Sequence, residues 1–135
     1  MAIMQYVYIY LLTVPVFFLI DLIWLGVVAK NFYQAQLGYL LGPVNWVAAI
    51  VFYLIYIVGI VVFAILPGLE ASSFWKATIL GALFGFMAYA TYELTNYALV
   101  KDWPFTVVWV DILWGTILTG AVAAGGYYLA KTFVL

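Results

Sequence analysis

The sequence predicts an all-α membrane protein built as a bundle of four transmembrane helices. Three observations lead there. Of 135 residues, 70% are hydrophobic and only 7% charged, against roughly 25% charged in soluble domains. The mean hydropathy is +1.24. The apolar residues also fall into four stretches, each long enough to meet the ~20 residues that a helix needs to cross hydrocarbon. Helices are expected rather than strands, because a transmembrane barrel shows alternating polarity in segments of about 10 residues.

The first span is expected over Tyr6 to Ala29. It lacks a basic leader and a small-residue cleavage site, so it should stay in the mature protein. Pro15 should kink this helix or loosen one of its turns. The connection from Lys30 to Pro43 is the longest, and its Phe32, Leu37, Tyr39 and Leu40 suggest a short helix resting on the bilayer surface. The second span is expected over Val44 to Leu66, closed by Pro67-Gly68 and the polar Glu70, Ser72 and Ser73. The third runs from Trp75 to Ala98. Lys101-Asp102-Trp103-Pro104 breaks the chain before a fourth span, Phe105 to Leu129. Residues 1–135 are thus read as a single transmembrane domain.

Tryptophan and tyrosine prefer membrane interfaces, and they gather near the expected span ends. Tyr33, Tyr39, Trp46 and Trp103 mark one face; Tyr6, Tyr8, Trp75, Tyr127 and Tyr128 mark the other. Lys30 and Lys101 fall on one side and Lys76 and Lys131 on the other, so lysine bias sets no orientation. Both termini in the cytoplasm is the usual arrangement for an even number of spans and is the expectation here.

Composition also excludes. With no cysteine and no histidine, disulfides, thiol nucleophiles, zinc sites, histidine-ligated haem and histidine bases are ruled out. No cofactor is expected. Arginine is absent too, and the four lysines form no basic patch, so nucleic acid and phosphate are not expected partners; the lipid bilayer is.

Two of the five acidic residues, Glu70 and Asp102, fall in connections, which leaves Asp21, Glu93 and Asp111 inside spans. Their distances in sequence from Lys30, Lys101 and Pro104 are similar, and at 1.5 Å per residue each lies about 10–14 Å from the same boundary. Three carboxyl groups from three helices should therefore occupy one layer. An isolated carboxylate there costs about 2.5–3.5 kcal/mol on insertion scales. Protonation, a bound cation, or Lys30 and Lys101 reaching down from the boundary would each answer that cost.

Helical spacing supplies the expected surroundings. Tyr89 and Asn96 share a face with Glu93, and Tyr53 of the second span enters at similar depth with Tyr56 a turn deeper. Gly115 and Thr119 continue the Asp111 face and leave room for a neighbouring helix or ligand. Trp24 and Trp114 each follow an aspartate by three residues and would wall the site or anchor in lipid. Gly81 and Gly85 form a G-x-x-x-G match, and Thr116, Gly120 and Ala124 a second small-residue stripe; both suit packing within the chain more than dimerisation. The fragment Asp21-Leu22-Ile23-Trp24 recurs loosely as Asp111-Ile112-Leu113-Trp114, a likeness that chance explains because nothing else aligns.

The motifs Asp21-Leu-Ile-Trp-Leu-Gly26, Ala90-Thr-Tyr-Glu-Leu-Thr-Asn96, Lys101-Asp-Trp-Pro104 and Val110-Asp-Ile-Leu-Trp-Gly115 resemble those of an uncharacterised family of small bacterial four-span membrane proteins. The resemblance covers nearly the whole chain. It implies a multi-pass protein of the bacterial inner membrane and supports the span count, but it implies no activity. Genes for fatty-acid modification and photo-oxidative stress sometimes neighbour those of similar members, which adds a lipid-related role to the expectations.

Three functions are open to such a chain. One is a site for a proton, a hard cation or a small membrane-soluble ligand, with Asp21, Glu93, Asp111, Asn96, Tyr53, Tyr89, Trp24 and Trp114 as binding residues; oxygen-only ligands suit hard cations, and a transport path through so few spans would call for an oligomer. The second is an enzyme acting on a lipid, with one of the three carboxyls as general acid or base. The third is a structural or assembly subunit of a larger membrane complex.

Overall fold

Hydrocarbon offers no hydrogen bonds, so each apolar stretch must satisfy its backbone internally and closes into a helix. The computed structural model, which describes residues 1–135, holds four long helices and one short one, with no strand. They are α1 (Ile3–Val28), α2 (Phe32–Leu37), α3 (Trp46–Glu70), α4 (Phe74–Leu99) and α5 (Phe105–Phe133).

The start points follow from capping. The Asn45 side chain accepts from the Ala48 N–H at 3.1 Å, and Ser73 Oγ accepts from the Lys76 N–H at 3.0 Å, so α3 and α4 each begin just after a residue that satisfies an orphan donor. Pro104 opens α5, where its missing N–H costs nothing. Between α4 and α5 the backbone reverses at Asp102 (φ 59°), and between α3 and α4 at Ser72 (φ 49°).

One expected break is absent. Pro67-Gly68 does not end the second span; α3 continues to Glu70. Just before Pro67 the helix widens into a π-turn over Val61–Ile65, with the Leu66 N–H bonded to the Val61 carbonyl. A wide turn relaxes the clash between a proline ring and the preceding carbonyl, and the helix passes through. A second π-turn, Trp24–Val28, begins three residues after Asp21 and ends α1.

α5 is the central helix, and its Leu118, Val122, Ala123 and Ala130 are fully buried against Ile9 and Phe17 of α1 and Ile57, Ile60 and Ile65 of α3. The α4–α5 contact is the closest in the bundle. A Cβ on Gly85 would meet the Gly115 carbonyl oxygen and lie 2.5 Å from Thr119 Oγ1, so the G-x-x-x-G stripe is spent on packing inside the chain, as its spacing suggests. Tyr56 and Thr119 hydroxyls pair at 2.7 Å between α3 and α5. Large apolar side chains cover the outer faces of all four spans, among them Leu19, Val47, Ile79 and Leu113, which is the surface that lipid requires.

The aromatic belts are partly as expected. Trp46, Tyr39, Trp75, Tyr6, Tyr8 and Tyr128 are exposed, whereas Tyr127 is buried and Tyr33 and Trp103 turn inward to carboxyl groups. For those two, a buried acceptor outcompetes the interface.

Candidate intramembrane carboxyl site

Asp21 on α1, Glu93 on α4 and Asp111 on α5 are 6%, 1% and 8% exposed, and all three line one cavity of about 280 Å³. Tyr53 on α3, Tyr89 on α4, Trp24 and Trp114 line it as well, together with Phe52, Tyr92 and, from the first connection, Tyr33 and Leu37. Asn96 does not. The inward face of α4 passes through Gly85, Tyr89 and Glu93 at steps of four residues, and Asn96, three further on, is rotated off that face and stands beside Tyr92.

Each carboxyl meets neutral aromatic donors. The Tyr33 hydroxyl donates to Asp111 Oδ1 at 2.8 Å and accepts from Trp24 Nε1 at 3.2 Å. Trp103 Nε1 donates to Glu93 Oε1 at 2.9 Å. Beside Asp21 stand the Tyr53 hydroxyl and the Trp114 indole, but Trp114 Nε1, itself buried, closes no hydrogen bond. Glu93 and Asp111 adjoin one another across the α4–α5 contact. Like charges placed this way repel when both are ionised, which sets the electrostatic problem of the site. Lysine supplies no counter-charge: Lys30 and Lys101 are both exposed, and the donors that reach Asp111 and Glu93 are Tyr33 and Trp103.

α2 is more than a surface helix. Its Leu37 is buried, its Tyr33 reaches Asp111, and just beyond it the Tyr39 hydroxyl donates to the Asp102 carbonyl at 2.5 Å. These contacts tie the first connection to the start of α5 and lay α2 across the cavity. Burial, and then the Asp111 carboxyl beside it, push the Tyr33 phenol well above the ordinary tyrosine range, so it stays a donor.

The two Asp-x-x-Trp fragments face each other. Trp24 and Trp114 stack with ring centroids 4.3 Å apart and planes 7° from parallel, and each lies near the other's aspartate, Trp114 directly and Trp24 through the Tyr33 hydroxyl. The likeness that the sequence alone left to chance is thus a spatial pair contributed by α1 and α5. Next to Trp114, Gly115 makes room for the Tyr89 ring, on which a Cβ would fall.

No three acidic side chains converge closely enough to ligate one metal ion. The cavity is therefore unlike a hard-cation cage, which gathers six or more oxygens around one point.

Four apolar helices, each long enough to span, make this chain a multi-pass membrane protein. It belongs to the family described as "Predicted membrane protein (DUF2177)", whose model matches residues 6–128. No curated protein and no solved structure matches the chain.

Proposed function

We propose that this chain is a membrane-embedded binding protein of the bacterial inner membrane, whose carboxyl cavity takes a proton, a cation or a small membrane-soluble ligand. One observation carries the proposal. Three buried carboxyls from three different helices surround a single cavity, and no lysine accompanies them. Structural carboxyls need only a hydrogen-bond partner each, which scattered positions provide equally well. Intramembrane acids gathered around shared space are instead the arrangement found at ion and ligand paths.

The test is thermal unfolding of the protein in a neutral detergent, across pH and with added monovalent cations, divalent cations and amines, for the wild type and for Glu93→Gln. An occupied site stabilises the fold by mass action. The midpoint should shift with pH or with one class of solute, and Glu93→Gln should abolish that shift. A midpoint indifferent to pH, to every solute and to the substitution contradicts the proposal.

A further inference from the structure

The carboxyl cavity has a neighbour. A second cavity, of about 370 Å³, is lined by Phe52 and Tyr56 of α3, Ala88, Tyr89 and Tyr92 of α4, and Asp111. Phe52, Tyr89, Tyr92 and Asp111 belong to both walls, so the two spaces adjoin. The reason lies in the helix packing. α3 meets α4 along its Val61–Glu70 end, while the Trp46–Ile60 portion diverges and is bridged to α4 by the Tyr56 and Phe84 rings, 5.3 Å apart. The gap is a crevice between two spans. Phe52 and Tyr92 at its mouth are 49% and 55% exposed on faces that lipid covers.

We infer that the ligand is a long-chain amine that enters sideways from the bilayer, with its ammonium head among the carboxyls and its alkyl chain in the α3–α4 crevice. This rests on the binding reading above and names its ligand class. Charge decides the head group: the polar wall offers three carboxyls and no cation, and Trp114 Nε1, beside the 6%-exposed Asp21, closes no hydrogen bond. The spread of the acids favours an organic cation over a bare metal ion, and aromatic walls attract ammonium groups. Shape decides the rest. A hydrophilic amine would need no apolar crevice, and a neutral lipid would need no carboxyls.

Dodecylamine, butylamine and dodecanol, added to the full chain in maltoside micelles, test this through tryptophan fluorescence, since Trp24 and Trp114 wall the site. Dodecylamine should bind saturably. Butylamine and dodecanol should each bind about tenfold more weakly or worse. Asp21→Asn with Asp111→Asn should remove the dodecylamine response. Ala88→Trp, which fills the crevice without removing a carboxyl, should weaken dodecylamine by a similar factor. Butylamine binding as well as dodecylamine overturns the crevice and spares the carboxyl site. Dodecanol binding as well as dodecylamine overturns charge recognition. Silence to all three, with the pH or cation response intact, overturns the amine alone.

Discussion

Tyr33 ties the first connection to the carboxyl cavity, and replacing it with phenylalanine removes one oxygen and two hydrogen bonds. The first of these, to Asp111 Oδ1 at 2.8 Å, links α2 to α5. Interhelical hydrogen bonds in membrane proteins average about 0.6 kcal/mol in double-mutant cycles and reach about 1.7 kcal/mol. A short bond to a buried carboxyl belongs in the upper part of that range. The second, from Trp24 Nε1 at 3.2 Å, leaves an indole N–H without its acceptor, at about 1 kcal/mol for a partly buried donor. Tyr33→Phe should therefore destabilise by about 2–2.5 kcal/mol, of which about 1–1.5 kcal/mol is shared with Asp111. Equilibrium unfolding in mixed micelles, followed by tryptophan fluorescence, measures both quantities in a cycle with Asp111→Asn. Coupling below about 0.5 kcal/mol, the level at which independent substitutions simply add, would refute the latch.

Three further outcomes follow from the same geometry. Trp103→Phe keeps the edge-on contact with Tyr92, now 6.0 Å between centroids, but removes the donor to Glu93, so it should cost about 1–2 kcal/mol in the same unfolding assay, and Glu93→Gln should add little on that background. Gly85→Ala places a methyl group against the Gly115 carbonyl and Thr119; α4 and α5 must part, and unfolding should report a loss of about 1–3 kcal/mol. Because the folded state holds the Tyr33 proton more tightly than the ordinary value of 10.0, the unfolded chain alone releases that proton first as pH rises. Stability is thus full below about pH 10 and declines above it, and an alkaline unfolding series should decline less steeply for Tyr33→Phe.

The spans were legible because membrane crossing is written in one-dimensional terms: length, apolarity and the polar breaks between. Where the sequence reading stopped short, a local rule gave way to a neighbour. Pro67 reads as a helix stop, yet the π-turn before it, which leaves no mark in composition, lets α3 continue. That Asp21, Glu93 and Asp111 fall at one level of the bundle followed from counting residues to a shared boundary. The side chains that hold two of them did not, because Tyr33 and Trp103 look like interface aromatics until the fold sets buried acceptors beside them. The one available hint was Tyr33 and Leu37, four residues apart on a helix and so on one face, which marks α2 as having an inner side. Asn96 shows the converse: a spacing of three residues from Glu93 suggests a common face, but the wall follows steps of four along α4 and leaves Asn96 beside Tyr92.

Asp21, Glu93 and Asp111 act as one site only if their side chains share one space. Isotope-edited infrared spectroscopy of the carboxyl bands, in the wild type and in Asp21→Asn, Glu93→Gln and Asp111→Asn, tests this most directly. Groups around a common cavity feel each other's charge and protons, so Asp111→Asn should delete its own band and also shift those of Glu93 and Asp21. Bands that vanish one at a time, each leaving the other two unmoved, would contradict it.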